Sequence, residues 1–163
     1  LPVIKKRIKG RSSIDQKIIF STKDITVAQK GFFYQKYLKF QEFGMDILND
    51  LNGNFIHFCV KKKYQIRAGD TDKAEIINPK KFFKLAYKIS SSLNHIGNLD
   101  IDFMYRNKKA YVLDLNPRFG GGYPFTHLSG NNFLQNYIAN LLGTKCKNDK
   151  KNYKIYSKGI TII

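Results

Sequence analysis

The sequence predicts an α+β fold in which hairpin-joined antiparallel strands are separate from the helices. Two observations carry this prediction. Asn52-Gly53, the residue pair most typical of a tight hairpin, stands between two apolar runs. In residues 82–93 and 133–142, apolar side chains recur at the spacing of an amphipathic helix. Because the strands follow one another mostly through turns, we expect antiparallel sheets.

The N-terminal part of the chain predicts three short strands. Apolar residues mark them at residues 1–8, 17–20 and 32–38. The stretch between the first two strands is basic and typical of a loop rich in hydrogen-bond donors. Ser21 would cap a short helix over residues 23–29, because its hydroxyl can accept from a free backbone N–H of the first turn.

The central part of the chain predicts the hairpin itself. Its two strands are residues 43–51 and 54–62, and residues 64–68 would continue the sheet. Gly69-Asp70 is typical of a turn, so we expect the chain to leave the sheet there.

The first helix and a second pair of strands follow. Asn78-Pro79 would begin the helix, since Asn is a favoured cap and Pro is tolerated at the first helical position. Gly97 would end that segment. Strands are then expected at residues 99–105 and 110–115.

The remaining segments complete the predicted order of elements. A glycine-rich loop occupies residues 120–122, and the second helix would end at Gly143. Residues 155–163 would add one edge strand.

Composition excludes several classes of protein. The chain has 163 residues, enough for one domain or two small lobes. No apolar run approaches the roughly 20 residues of a membrane helix, and residues 1–4 are too short for a signal peptide. Cys59 and Cys146, the only cysteines, form neither a disulfide framework nor a zinc motif. We therefore expect a cytoplasmic protein without a membrane segment.

The formal charge of +17 has three interpretations. It would suit nucleic acid, a site for polyphosphate, or simply a lysine-rich surface in water. The sequence contains no helix-turn-helix, zinc-finger or aromatic RNA-binding motif, which argues against nucleic acid as the partner. Charge alone does not identify a partner.

The residues that point to chemistry lie in the second strand pair. Asp100 and Asp102 alternate on one strand, and Asp114 and Asn116 alternate on the next, so each pair faces one side. Carboxylate and amide oxygens suit a magnesium ion held together with phosphate oxygens. Arg118 would meet a phosphate through two parallel hydrogen bonds. Polar surface positions on a half-buried strand are the alternative interpretation of this pattern.

Residues 114–124, Asp-Leu-Asn-Pro-Arg-Phe-Gly-Gly-Gly-Tyr-Pro, resemble the signature of ATP-grasp enzymes close to the large subunit of carbamoyl-phosphate synthase. In that family the pattern is Glu-x-Asn-Pro-Arg-Phe-Gly-Gly. Earlier segments resemble the family in the same order. Residues 2–13 resemble the strand lysine and phosphate-covering loop, residues 35–38 the hinge that meets adenine, and residues 97–103 the strand with the first metal aspartate. The resemblance covers roughly residues 1–140.

The resemblance assigns seven residues to the nucleotide: Lys6, Gly10, Ser13, Gln35, Lys36, Leu38 and Glu42. Lys6, or Lys5 beside it, would neutralise phosphate oxygens, and backbone N–H groups of the following loop would wrap them. Backbone groups of Lys36 and Leu38 would meet the adenine edge. Glu42 would accept hydrogen bonds from the ribose hydroxyls, with an exposed carboxylate at a strand edge as the alternative.

The resemblance also implies a metal site and two catalytic residues. Asp102, Asp114 and Asn116 would hold Mg²⁺, with Mn²⁺ as an alternative ion. Arg118 and Arg67 are the expected catalytic residues, and Arg67 would approach the γ-phosphate or an acyl phosphate. A solvated position on a basic strand explains Arg67 equally well.

By resemblance, the fold would be ATP-grasp, with two small α+β lobes whose antiparallel sheets enclose the nucleotide. Residues 1–38 would form part of the small lobe, and residues 39–163 the large lobe with the metal site. The implied reaction joins a small carboxylate to an amine or a thiol through an acyl phosphate made from ATP. A catalytically incomplete nucleotide-binding or regulatory module, and a basic nucleic-acid-binding protein, are the alternatives. A homo-oligomer is compatible both with the ligase and with the nucleotide-binding or regulatory module.

The sequence departs from the family pattern at three places. Asp114 stands where the family usually has Glu, so its carboxylate reaches about one bond less. The phosphate-covering loop contains one glycine where relatives often have more, and Arg7 replaces the usual Pro. By resemblance, an N-terminal Rossmann-like domain would precede residue 1, and we expect a separate or missing domain to supply much of the carboxylate pocket.

Overall fold

The computed structural model describes residues 1–9, 15–25, 30–146 and 151–159. The chain divides into two units. Residues 1–40 and 67–70 form the first, and residues 41–66 and 71–163 form the second.

The first unit contains a three-stranded antiparallel sheet with the order β2-β1-β3. Its strands are β1 (Val3–Arg7), β2 (Lys17–Ile19) and β3 (Phe32–Lys36). All three were predicted, each with longer bounds. Ser21 accepts from the backbone N–H of Lys23, as expected of a cap, but it begins only a 3-10 turn at Thr22–Asp24. The rest of the helix predicted here falls partly on residues 26–29, outside the described residues.

The second unit is built on a six-stranded sheet with the order β8-β7-β4-β5-β6-β9. Its strands are β4 (Glu42–Asn49), β5 (Phe55–Arg67), β6 (Asp70–Ile76), β7 (Gly97–Arg106), β8 (Lys109–Asn116) and β9 (Ile155–Ser157). The pairings of β4 with β5, β4 with β7, β6 with β9 and β7 with β8 are antiparallel. The α+β class and the antiparallel sheets are therefore confirmed.

The hairpin between β4 and β5 forms where the sequence predicts it. Asp50 Oδ1 accepts from the backbone N–H groups of Asn52 and Asn54, at 2.9 and 2.7 Å. Gly53 has φ +80°, and a Cβ there would lie 2.8 Å from the carbonyl oxygen of Asn94. Glycine is required at this turn by its backbone conformation and by the close approach of a neighbouring segment.

Strand β6 contradicts the expectation that the chain leaves the sheet at Gly69-Asp70. The chain turns there and returns as a strand in which Thr71, Asp72 and Ala74 are buried. Of its buried residues only Ala74 and Ile76 are apolar, so the hydrophobic alternation in the sequence is too short to predict the strand.

The helices are α1 (Phe83–Leu93), α2 (Tyr123–Leu128) and α3 (Phe133–Leu141). Asn78 caps a 3-10 turn that leads into α1, and Asn94, in the left-handed conformation, ends α1 in place of the predicted Gly97. Helix α2 was not predicted, because a helix of 6 residues is too short to show a period. No helix in the described ranges is long and apolar enough to cross a membrane.

Two apolar clusters cover opposite faces of the larger sheet. One contains Phe43, Met45 and Ile47 of β4 and packs under α1. The other contains Leu48 with Phe125 of α2 and Phe133 of α3. Because side chains alternate along a strand, residues 42, 44 and 46 face away from the first cluster. These positions lie on the face where the candidate site is found.

Candidate functional site

One face of strands β4, β5, β7 and β8 carries most of the charged groups of the candidate site. In the register of the sheet, Asp102 lies opposite Gly44, and Asp100 lies opposite Asp46. On the other side of β4, Lys61 lies opposite Gly44. We call this the polar face; its side chains are Glu42, Asp46, Lys61, Lys63, Asp100, Asp102, Asp114 and Asn116.

The polar face differs in charge from the rest of the protein. The chain has 12 acidic residues against 29 basic ones. Five of the acidic residues lie on this face, and Lys61, Lys63 and the nearby Arg118 are its cationic side chains. Five carboxylates against three cations leave an excess of two negative charges, in a chain whose net charge is +17. One divalent cation would balance this excess of two negative charges.

The predicted metal ligands lie on the same face of adjacent strands. Asp102 of β7 pairs directly with Asp114 of β8, and Asp100 pairs with Asn116. Asn116 Nδ2 donates to Asp114 Oδ2 at 3.0 Å, and the backbone N–H of Leu115 donates to Asp114 Oδ1 at 3.0 Å. The amide group of Asn116 therefore turns its nitrogen toward Asp114, which leaves its oxygen for another partner.

Two carboxylates and one amide oxygen fit a hard divalent cation such as Mg²⁺ or Mn²⁺. Within the described residues, no group of three or more His, Cys, Asp and Glu side chains is placed to hold a metal. The predicted set of Asp102, Asp114 and Asn116 instead depends on an amide as its third donor.

Lys63 bridges two predicted site residues and was not itself predicted. Its Nζ lies 2.6 Å from Asp102 Oδ1 and 2.8 Å from Glu42 Oε1. Burial by itself lowers the pKa of the Lys63 ammonium, but the charges of Asp102 and Glu42 outweigh burial and raise that pKa. Lys63 is therefore a permanent cation between the two carboxylates. The sequence feature that could have identified Lys63 is the two-residue period of a strand, because it places Lys61 and Lys63 on the side opposite to Val60.

Lys61 and Asp46 form a buried ion pair beneath the site. Lys61 Nζ and Thr126 Oγ1 both donate to Asp46 Oδ2, and Lys61 Nζ also donates to Thr126 Oγ1 at 3.2 Å. Burial lowers the pKa of Lys61, and the nearby Asp46 more than compensates, so the net shift is upward. Since Thr126 belongs to α2, this network ties that helix to β4 and β5.

Glycines allow the polar groups to approach each other closely. A Cβ at Gly44 would lie 3.1 Å from Lys61 Cε and 3.5 Å from Lys63 Cε. A Cβ at Gly120 would lie 2.0 Å from Asp100 Oδ2, so a larger residue there would displace that carboxylate. The glycine-rich loop therefore passes directly over β7.

The position of Asp100 on the polar face disturbs its ionisation. Burial raises its pKa to about 6, with Asp46 and Asp102 acting in the same direction and Lys61 and Arg118 opposing them. Arg118 Nη1 lies 3.6 Å from Asp100 Oδ2 and donates to the Phe119 carbonyl at 3.2 Å. The Arg118 side chain is 58% exposed, so its guanidinium remains available to a ligand.

The predicted nucleotide residues of the first unit lie on its small sheet. Lys6 pairs with Phe33, and Gln35 pairs with Ile4, so Lys6 and Gln35 share one face. Lys5 faces the other way, with its Nζ 4.5 Å from the centre of the Phe32 ring.

The other predicted residues of this unit lie at the ends of strands or beyond them. Lys36 ends β3 and Leu38 follows it. Arg67 ends β5 and is exposed. Gly10 and Ser13 lie outside the described residues.

Residues 29–161 match the family described as ATP-grasp in the biosynthetic pathway with Ter operon. No curated protein matches the sequence. Similar solved structures include pyruvate carboxylase from Rhizobium etli, at 19% identity and a TM-score of 0.70 over 89% of this chain and 15% of that chain. N5-carboxyaminoimidazole synthetase from Staphylococcus aureus, solved with ADP, has 18% identity and a TM-score of 0.69 over 90% of this chain and 43% of that chain.

Biotin carboxylase from Campylobacter jejuni has 18% identity and a TM-score of 0.70 over 90% of this chain and 38% of that chain. The chain thus spans less than half the length of each of these three proteins. At this level of identity, the likeness shows a shared fold.

Proposed function

The chain belongs to the family described as ATP-grasp in the biosynthetic pathway with Ter operon, and on this basis we propose that it is the nucleotide- and metal-binding part of an ATP-dependent ligase. The ligase would join a small carboxylate to an amine or a thiol. The observation that carries the proposal is the cross-strand pairing of Asp102 with Asp114, with Asn116 on the same face. The resemblance to ATP-grasp enzymes assigns the metal to the same three residues.

The charge of the polar face supports a cation at this place. An excess of two carboxylates on one face of the sheet would attract a cation, because the like charges repel one another. When bound, Mg²⁺ would neutralise phosphate oxygens of ATP and stabilise the charge that develops during phosphoryl transfer. Asp102, Asp114 and Asn116 would hold it, and the exposed guanidinium of Arg118 would contact a phosphate.

In the proposed reaction, a carboxylate oxygen attacks the γ-phosphorus of ATP and ADP leaves, which gives an acyl phosphate. The amine or thiol then attacks the acyl carbon, and phosphate leaves as the new bond forms. Glu42 would bind the ribose, and Lys6, Gln35, Lys36 and Leu38 would bind the rest of the nucleotide. These assignments follow from the family resemblance, as does a catalytic role for Arg67.

Calorimetric titration with a non-hydrolysable ATP analogue and Mg²⁺ tests this proposal. We expect the wild-type protein to bind the analogue and Asp114→Ala to lose roughly a hundred-fold or more in affinity for its magnesium complex, because a charged metal ligand is removed. Asp24→Ala is the matched control, since Asp24 is an exposed carboxylate of the first unit. Equal affinities of the wild-type protein and Asp114→Ala would refute the proposal.

A catalytically incomplete nucleotide-binding module is the second candidate, and one observation favours it. Both carboxylate oxygens of Asp114 already accept hydrogen bonds within its own strand. The shorter side chain, where the family has Glu, is thus engaged locally. Phosphate release separates the candidates: a ligase releases phosphate from ATP when a suitable carboxylate and amine or thiol are supplied, whereas a module binds ATP without release. The cytoplasmic location, the carboxylate and a separate N-terminal domain remain predictions.

A further inference from the structure

Lys63 occupies a central position on the polar face. Its ammonium contacts Asp102 Oδ1 at 2.6 Å and Glu42 Oε1 at 2.8 Å. The Lys63 side chain is 5% exposed, while those of Asp102 and Glu42 are 30% and 23% exposed. The cation is therefore more deeply buried than either carboxylate, and both carboxylates are still reached by solvent.

The arrangement is built into the backbone. Gly44 lies between the strands that carry Lys63 and Asp102, and a Cβ there would lie 3.5 Å from Lys63 Cε and 3.9 Å from Asp102 Oδ1. A Cβ alone would make ordinary van der Waals contact with both groups, so only a side chain larger than that of alanine at position 44 would crowd the path by which the lysine reaches Asp102. The neighbouring Lys61 does not compete for this place, because its ammonium is held by Asp46 and Thr126.

A metal ion bound by Asp102 would meet Lys63 at close range. The Asp102 oxygen that accepts from Lys63 has its lone pairs partly engaged by the ammonium. A divalent cation on the same carboxylate would also experience repulsion from the ammonium, which is strong where solvent is partly excluded. The metal and Lys63 would therefore compete for Asp102.

We propose that Lys63 is a positioning residue that holds Asp102 and Glu42 in place without metal and competes with the divalent cation for Asp102. It thereby lowers the affinity of the site for free metal ions. This inference rests on the proposed function, since it takes Asp102 as a metal ligand. The other charged groups of this face, Asp46, Lys61, Asp100 and Asp114, are unchanged in every lysine variant used to test it.

The test measures binding of Mn²⁺ to the nucleotide-free protein by electron paramagnetic resonance of the free ion. Lys63→Met keeps the length of the side chain and removes its charge. We expect Mn²⁺ to bind this variant roughly ten- to hundred-fold more tightly than the wild-type protein, which corresponds to the loss of a charged hydrogen bond. Lys63→Arg retains a cation and should retain an affinity close to that of the wild type.

Lys62→Met is the matched control for the loss of one positive charge. Lys62 is the preceding residue, and its side chain points to the opposite face of β5, where Nζ donates to the Tyr64 hydroxyl at 3.3 Å. Its removal should change Mn²⁺ affinity by less than about two-fold, since exposed charges are screened by salt. Equal tightening in Lys62→Met and Lys63→Met would mean a general charge effect and would overturn the inference.

The outcomes also separate this inference from the proposed function. If Asp114→Ala abolishes Mn²⁺ binding while Lys63→Met binds no more tightly than the wild type, the metal site stands and the role of Lys63 is refuted. If neither the wild-type protein nor any of the variants binds Mn²⁺ without nucleotide, the inference is refuted, and the titration with the ATP analogue and Mg²⁺ decides separately whether the metal site exists.

A measurement on the wild-type protein covers the case in which Lys63→Met does not fold. The ammonium nitrogen of Lys63 can be observed by ¹⁵N magnetic resonance and assigned through its loss in Lys63→Arg. Saturation with Mg²⁺ should shift this signal, because the hydrogen bond to Asp102 is broken. An unchanged Lys63 signal, together with shifts at Asp114 and Asn116, would overturn the inference.

Discussion

The buried ion pair between Lys61 and Asp46 offers the sharpest test of how the site is supported. Their side chains are 1% and 0% exposed, respectively. Lys61→Met removes one charge and leaves the other buried, a change that costs about 3–5 kcal/mol in free energy of unfolding. Thr126 and Asn98 still donate to Asp46 in this variant, so we expect the lower end, about 3 kcal/mol. That is a large part of the roughly 5–15 kcal/mol that stabilises a typical domain.

Urea unfolding followed by circular dichroism at the helix band measures this cost, since α1, α2 and α3 all belong to the second unit. Lys62→Met is the control, and its half-exposed side chain should contribute about 1 kcal/mol or less. In the double variant Asp46→Asn with Lys61→Met, no buried charge remains unpaired. Its destabilisation should therefore fall short of the sum of the single variants by about 2 kcal/mol or more. A cost below about 1 kcal/mol for Lys61→Met, or strict additivity, would refute this reasoning.

Two further predictions concern the support of the sheet. Gly53→Ala should destabilise the second unit by more than about 1 kcal/mol, because φ is +80° and the new Cβ would approach the Asn94 carbonyl at 2.8 Å; urea unfolding with Asn52→Ala as the comparison checks it. Burial lowers the pKa of His57, with Lys151 acting in the same direction and a hydrogen bond with Asn131 opposing both. Protonation of His57 therefore favours the unfolded state. The free energy of unfolding that depends on neutral His57 is fully present above the unfolded pKa of about 6.5. It decreases as the pH falls below that value, by at most about 1.4 kcal/mol per pH unit. His57→Gln should lose less stability than the wild type between pH 7 and pH 5, and parallel losses would contradict this prediction.

Predictions from the sequence were most successful where the signal was local. The Asn52-Gly53 hairpin, the cap at Asn78 and the two longer helices each depend on a few neighbouring residues, and all are present. The two strands that carry the predicted metal ligands were also predicted. In the sequence, Asp100 and Asp102 are two positions apart, as are Asp114 and Asn116, so each pair faces one side of its strand. Their chemical roles remain predictions, as does the division of the chain at residue 38.

Predictions failed or were not made where distant residues decide the structure. Strand β6 buries Thr71 and Asp72 beside Ala74 and Ile76, so half of its buried positions are polar and give no hydrophobic signal. Helix α2 is anchored by a hydrogen bond from the Thr126 hydroxyl to the Asp46 carboxylate, and these two residues are 80 positions apart in the sequence. The run from Lys61 to Lys63 resembles an exposed basic segment until the partners of each lysine are known.

The sequence by itself determined the local elements of this protein, the residue types at the metal set and membership of a family that can be recognised from its motifs. Only the tertiary structure decided that Asp102 lies opposite Asp114, that Lys63 stands between Asp102 and Glu42, and that Lys61 is buried on Asp46. The physical reason is that periodicity reports which side of its own strand a residue takes. The register between strands, and with it the choice of charged partners, depends on hydrogen bonds and packing between segments far apart in the chain.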